Sequence, residues 1–271
     1  MVAPEISVLM STHNEEKYIK EAIDSILTQS FSNFEFVICN DHSTDNTLGI
    51  LNDYGKLDNR IRVFDNTNKA GLQYSLNFGL KKCRGKYVAR MDDDDISHLD
   101  RLERQYSFLE KNPSISLLGT NINFFDENGI YGSSRFKANP SIVDVWKGKT
   151  FCHPTMMFKL SDIREIGFYN QSDEVTRLED YDCWCNFYYH GFKGFNLKDN
   201  LLDFREDSNS FKRRTNESRI KLVECMHKWL IRMKLKKSLN IFVLYEFMKI
   251  FVPSKLIQKY HQIVFYENQD R

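Results

Sequence analysis

Several things are missing from this chain of 271 residues, and each absence removes a class of protein. Its six cysteines (Cys39, Cys83, Cys152, Cys183, Cys185 and Cys225) make no C-x-x-C pair, which excludes the usual structural zinc sites. Free thiols fit a reducing cytoplasm. No positively charged, apolar signal segment precedes the first predicted strand, so a cytoplasmic location is expected. The longest apolar tract, Ile241 to Val252, is broken by Glu246 and Lys249 and falls short of the roughly 20 residues a spanning helix needs. Net charge is nearly absent too, at +1, but it is unevenly placed. Residues 1–211 carry 24 basic and 32 acidic side chains and residues 212–271 carry 14 and 5, so −8 is followed by +9. With an acidic body and no recognised nucleic-acid motif, nucleic-acid binding by the basic tail is the weakest reading and no nucleic-acid partner is expected. What is present is a hydrophobic content of 41% with 14% aromatics, enough for one large domain or one domain with an appendage.

The most unusual stretch is Tyr87 to Met91, an apolar run ending in four carboxylates, Asp92 to Asp95. It reads as a strand that delivers acids to its C-terminal edge. Neighbouring like charges repel by roughly 1 kcal/mol per pair even at high effective dielectric, so a fold that gathers them anticipates a cation. Hard oxygen ligands favour Mg²⁺ or Mn²⁺. The plainer reading is a solvated acidic loop in which Asp95 or Ser97 caps a helix starting near His98.

In chain order, Glu5–Ser11 is a strand, and a helix follows with Tyr18, Ile19, Ala22, Ile23, Ile26 and Leu27 on one face. Phe34–Cys39 is the second strand, Thr47–Tyr54 the second helix with Ser43 or Thr44 as its cap, and Ile61–Phe64 the third strand. A helix over Leu72–Lys82 precedes the strand with the aspartates. This alternation predicts an α/β fold, a mostly parallel Rossmann-like sheet with helices on both faces. Ligands bind such sheets at the strand C-termini. The loops at Thr12–Glu15, Asn40–Asp45 and Asp92–Asp95 should therefore line one crevice. Further on come a buried strand over Ile115–Thr120, a hairpin turning at Glu127-Asn128-Gly129, and a helix to about Tyr189 that opens with Glu179, Asp180 and Asp182. Acids also favour a helix N-terminus for its dipole, and that suffices for Asp182.

Together, T-H-N-E-E (from Thr12), N-D-H-S-T-D-N-T (from Asn40), N-K-A-G-L-Q-Y-S-L-N-F-G (from Asn68), A-R-M-D-D-D-D-I-S (from Ala89), D-R-L-E-R-Q (from Asp100), C-H-P-T-M-M-F (from Cys152) and L-E-D-Y-D-C-W (from Leu178) resemble the family 2 glycosyltransferases of GT-A fold. The resemblance spans about residues 5 to 206. It implies a catalytic domain over 1–206, with a nucleotide-sugar half (1–97) and an acceptor half (98–206). The partners it implies are a nucleotide-diphospho-sugar donor and a glycan or lipid-linked acceptor. By the same resemblance Thr12 and His13 meet the nucleobase, Asp41 its edge or the ribose, Asp92 the ribose, and Asp94 the Mn²⁺ or Mg²⁺. Asn14, Glu15, Lys69 and Asp93 complete the donor side. Asp180 is the implied base, with Glu179, His153, Arg101 and Trp184 toward the acceptor, although Trp184 can equally pack the core. His13 stands where the family usually has Tyr, and Asn40-Asp41-His42 replaces D-D-G. The latter puts the turn in question, because His adopts positive φ less freely than Gly.

The chemistry agrees with the resemblance. A bound cation would offset charge growing on a leaving diphosphate. A carboxylate opposite it can take the acceptor proton, worth about 10²–10⁴ in rate, and direct displacement inverts the anomeric centre. A sugar-nucleotide pyrophosphorylase would need a Gly-rich, basic loop after the first strand, where Thr12–Glu16 is acidic. A non-catalytic donor-binding or scaffold protein is the other alternative. Beyond Arg205, residues 207–271 form a tail of predicted helices: the basic stretch from Arg213 to Lys237, then Leu239–Phe251, then Lys255–Tyr266. Basic amphipathic helices suit an anionic membrane surface, here the inner face of the cell membrane; the alternatives are a helical subdomain whose apolar stripe is buried against the body, or a contact between subunits in a homodimer.

Overall fold

The computed structural model describes residues 3–206 and 216–251. Strands β1 (Ile6–Thr12), β2 (Phe34–Asn40), β3 (Ile61–Asp65) and β4 (Tyr87–Met91) alternate with helices α1 (Ile19–Leu27), α2 (Thr47–Leu57) and α3 (Leu72–Leu80). β1, β2 and β4 are buried along their whole length, as strands covered on both faces must be. The second half adds β5 (Ile96–Ser97), α4 (Arg101–Lys111), β6 (Leu117–Asp126), β7 (Gly129–Ser134), α5 (Ile142–Lys147), β8 (Met157–Lys159), α6 (Leu160–Glu165), α7 (Glu179–Tyr189) and β9 (Gly194–Arg205).

The nine strands of the described residues join one sheet in the order β3-β2-β1-β4-β8-β6-β9-β5, with β7 paired to β6. β1 runs parallel to β2 and β4, β2 to β3, and β6 to β9; β8, β5 and β7 run against their neighbours. The sheet is mostly parallel, as expected. Two apolar layers follow from strand alternation: Leu9, Val37 and Val88 face one, Val8, Phe36 and Ala89 the other. α3 lies so close to the sheet that a Cβ at Gly79 would come within 2.4 Å of Leu9 Cδ1.

Some details differ from expectation. Ser43 and Thr44 do not cap α2; they bond to Asn14, and Asp45 Oδ1 accepts from the Thr47 amide at 3.0 Å instead. Neither Asp95 nor Ser97 caps α4, which starts at Arg101. β6 continues past Thr120 to Asp126 because its outer half pairs with β7 across the turn at Glu127-Asn128.

The largest difference is in the tail. α8 (Asn216–Arg232) buries Cys225, Met226, Trp229 and Leu230 in the layer that holds Trp146 and Tyr181. Trp229 Nε1 donates to Asp182 Oδ1 at 2.8 Å, and Trp146 Nε1 donates to the Met226 carbonyl at 2.8 Å. The boundary expected at 206 therefore does not divide the core: α8 is part of the body. α9 (Asn240–Met248) packs on α8, and the helix expected over Lys255–Tyr266 lies outside the described residues, as do Arg213 and Arg214.

Candidate active site

The strand ends meet in a crevice of about 1180 Å³. The loop after β1 is stitched to the loop after β2: His13 Nδ1 lies 2.6 Å from the Asp41 carbonyl, Asn14 N donates to Ser43 Oγ, and Asn14 Oδ1 accepts from the Thr44 amide at 2.7 Å. This occupies Asn14 in holding the loops, away from the crevice lining, while Thr12, His13 and Glu15 face it. Asp41 accepts from Asn66 Nδ2 and from the Gly71 amide, both at 2.8 Å, so it clasps the loop after β3. His42 takes φ +60° despite its side chain, and its Nε2 sits 2.8 Å from the Asn68 carbonyl. The replacement of D-D-G leaves the left-handed turn in place. Lys69 lines the crevice with its amine bonded to Asp173 at 2.7 Å and over the Tyr74 ring.

At the end of β4, ligating oxygens of Asp92, Asp94 and Asp95 lie within 4.8 Å of one another. Asp93 is not one of the three. Burial pushes Asp93 up to about 7 against the opposing hydroxyl of Thr12. Burial, then the charges of Asp92 and Asp93, push Asp94 up to about 7. Burial, with Asp92 and Asp94, takes Asp95 well above the usual carboxylate range. Asp95 Oδ1 accepts from the Arg205 amide at 2.9 Å, but its buried Oδ2 has no hydrogen-bond donor among the described residues. An all-oxygen set whose charges repel and whose buried acceptor lacks a donor fits a hard divalent cation. Asp94, expected alone, is thus one of three convergent carboxylates.

Arg90, in β4 two residues before Asp92, is almost fully buried and ion-paired with Asp92; its Nε and Nη1 find no partner among the described residues. Its charge reaches Asp94 on the donor side and Asp180, Glu179 and His153 on the other. An arginine inside an apolar strand beside four acids was the sequence signal for this role, and it went unused.

The far wall comes from α7 and the turn before it. Asp180 and Glu179 both line the crevice. Burial pushes Glu179 up to about 7, with Asp180 adding to it. Burial also raises Asp180, opposed by the Tyr181 amide 2.7 Å from Oδ1 and by Arg90. Asp182 points the opposite way, into the α8 contact. His153 lines the crevice but is buried against the rings of Tyr169 and Trp184, its Nε2 is 2.9 Å from the Tyr169 hydroxyl, and burial lowers its pKa so that it is neutral. Two expected acceptor residues lie elsewhere. Trp184 is a core residue among Phe151, Phe158 and Phe187. Arg101 is fully buried behind the acid loop, donating to the Arg90 carbonyl at 2.6 Å and to Gln105 Oε1 at 3.1 Å. Ser218, Arg219 and Leu222 of α8, which nothing local in the sequence marks, complete the wall.

Comparison with known proteins agrees with this geometry. The model of the glycosyl transferase family 2 matches residues 7–167. EpsE of Bacillus subtilis, named as a glycosyltransferase, is 37% identical over 96% of this chain and 94% of its own length. The O-antigen biosynthesis glycosyltransferase WbnJ of Escherichia coli is 32% identical over 91% of this chain and 96% of its own. An Escherichia coli UDP-Gal:alpha-D-GlcNAc-diphosphoundecaprenol beta-1,3-galactosyltransferase is 29% identical over 78% of each. Among solved structures, residues 1–349 of Staphylococcus aureus TarS in complex with UDP-GlcNAc superpose with a TM-score of 0.71 at 21% identity, covering 91% of this chain and 72% of that one. The Pyrobaculum calidifontis mannosyltransferase PcManGT with GDP-Man and Mn²⁺ gives 0.63 at 16% identity, covering 94% and 72%. The chain belongs to glycosyl transferase family 2, and it is a glycosyltransferase of GT-A fold.

Proposed function

We propose that the enzyme transfers a sugar, with inversion, from a UDP-sugar to a hydroxyl of a lipid-linked glycan during surface polysaccharide synthesis, at the inner face of the cell membrane. The observation that carries this reading is one crevice with two chemistries facing each other: Asp92 and Asp94 on one wall with Asp95 buried behind them, and Asp180 beside Glu179 on the other. A relative that acts on a diphosphoundecaprenol-linked sugar supports the acceptor class, and a UDP-GlcNAc complex of a protein with the same fold supports the donor class.

Asp92, Asp94 and Asp95 would hold a divalent cation, which when bound supplies Lewis-acid stabilisation to the departing diphosphate. Asp41 is held rigidly by Asn66 and Gly71, so it presents a fixed acceptor to the nucleoside. Arg90 balances the acid cluster and keeps Asp180 from drifting further toward its neutral form. Asp180 takes the proton of the acceptor hydroxyl as that oxygen bonds to the anomeric carbon; the carbon–phosphate oxygen bond breaks, and its electron pair leaves with UDP. Because burial raises Asp180 and Glu179, this wall offers stronger bases than ordinary surface carboxylates.

The test uses the full chain with a panel of UDP- and GDP-sugars and Mn²⁺. Thermal stabilisation identifies the donor. Transfer to a synthetic diphospholipid-linked sugar is then followed, and the anomeric configuration of the product is read by NMR. A product with retained configuration, or donor binding without turnover on any such acceptor, overturns the reading.

A further inference from the structure

α9 is apolar on two opposite sides. Leu239, Phe242 and Val243 pack down on the core, with Phe242 edge-on to Trp146 at 6.4 Å. On the other side Ile241, Leu244, Tyr245 and Met248, spaced i, i+3, i+4 and i+7, are 54 to 67% exposed, and Phe251 is exposed just beyond. A surface helix of a soluble body keeps one apolar stripe; a second one in water marks an interaction site.

Charge identifies what covers it. Residues 216–251 contain eight basic and three acidic side chains, and Lys234, Lys236 and Lys237 stand exposed in the turn that leads into α9. A second copy docking by this same face would set like charge against like. An anionic lipid surface complements both the stripe and its lysines. Two further contacts tie the stripe to the chemistry. α8 lines the crevice through Ser218, Arg219 and Leu222, and Arg219 Nη1 donates to the Lys249 carbonyl at the end of α9 at 2.8 Å. The apolar face of α8 itself, which the sequence left open between lipid and protein, is occupied by the core.

We propose that the outer face of α9 is the membrane-docking surface of this enzyme. Ile241, Leu244, Tyr245 and Met248 enter the headgroup–acyl boundary, and Lys234, Lys236 and Lys237 engage anionic headgroups. The crevice bordered by α8 is thereby held beside the leaflet that carries the acceptor. This rests on the lipid-linked acceptor proposed above, but its test needs no acceptor.

The full chain is floated with vesicles of phosphatidylcholine containing phosphatidylglycerol, at low and high salt. Flotation at low salt that weakens in high salt is expected. The double variant L244E/M248E should bind vesicles about 10²-fold less while keeping its stabilisation by UDP and Mn²⁺. Replacing the three lysines with Gln should cost about fivefold per residue. In the unaltered chain, residues 240–248 should gain hydrogen-exchange protection when anionic vesicles are added, a readout that does not depend on any variant folding. The proposal is overturned if the chain does not float at low salt, if 240–248 gains no protection, if L244E/M248E floats unchanged, or if that variant dissociates a dimer seen by sedimentation. Should vesicle binding hold while no lipid-linked acceptor is used, the docking surface stands and the acceptor assignment fails.

Discussion

The two walls of the crevice are built by different means. The donor wall is a set of loops at the ends of β1, β2, β3 and β4 that hold one another: Asn14 to Ser43 and Thr44, Asp41 to Asn66 and Gly71. The acceptor wall hangs on the core. Asp180 and Glu179 stand where they do because α7 is fixed from behind, by Asp182 to Trp229 of α8 and by Tyr181 to the Trp146 carbonyl. Damage to the first wall should cost binding and spare the fold, whereas damage behind the second should cost the fold.

The sharpest separation is expected inside α7. Asp180→Asn should lower transfer by about 10²–10⁴ and leave UDP–Mn²⁺ affinity by calorimetry unchanged, because the proton acceptor goes and the donor wall stays. Asp182→Asn, two residues on, should lower stability and change turnover little. A crippled but fully stable Asp182→Asn would reverse the roles of the two carboxylates. Next in size is the support: Trp229→Ala should cost about 3–5 kcal/mol in urea denaturation, since it empties a buried site and strands Asp182. A chain ending at residue 206 removes all of α8 and should not fold. If it melts at the temperature of the full chain, the acceptor wall does not depend on α8 and the contrast fails.

On the donor wall, Asp94→Asn removes one charged ligand, so UDP affinity in Mn²⁺ should fall about 10- to 10²-fold with the melting temperature in EDTA unchanged or raised. The rise is the informative part. Asp93, Asp94 and Glu179 sit at about 7 in the fold, well above ordinary carboxylates, so the folded state binds more protons than the unfolded chain between those values. In EDTA, stability should therefore be greatest on the acid side of that window and decline as pH rises through about 7. Mn²⁺, which needs the ligating Asp94 ionised, should offset the decline: at 100 times its Kd it contributes about 2.7 kcal/mol, or roughly 5–10 °C. A melting temperature that rises toward pH 8 in EDTA would show that the cluster is not under the strain its burial implies.

The same contrast explains what could be read without coordinates. Strand–helix alternation is local, and the rule that ligands gather at strand C-termini turns it into a site; Thr12, His13, Asp41 and the aspartates came together on that basis. Asn14 misled because a turn asparagine serves its neighbouring loop as readily as a ligand, and the sequence looks alike in both cases. Arg101 misled because motif position says nothing of which side of an element faces the crevice, whereas Trp184 took the core place the sequence had left open for it. The sequence left the tail open between lipid and protein for a thermodynamic reason: an amphipathic helix has the same pattern whichever its apolar face meets. What decides it is Asp182, a buried carboxylate that needs the Trp229 indole, and that pairing spans 47 residues.

The smallest effect tests whether the donor wall really is self-supporting. His42 holds φ +60°, a conformation glycine adopts more freely, and His42→Gly changes three things at once. It relieves a left-handed conformation that costs a side-chain-bearing residue about 1–2 kcal/mol. It gives the unfolded chain more freedom, a cost of about 0.5–1 kcal/mol. It also removes the contact with the Asn68 carbonyl, worth at most about 1 kcal/mol at an exposed position. These nearly cancel, so stability should move by less than about 1 kcal/mol, a shift of about 2–4 °C at most. Donor affinity should stay within about threefold, because Asp41 is positioned by Asn66 and Gly71 from the other side and His42 does not line the crevice. A tenfold change in UDP affinity from this substitution would mean that the turn itself sets Asp41, and that the donor wall depends on one residue in a strained conformation more than on the hydrogen bonds between its loops.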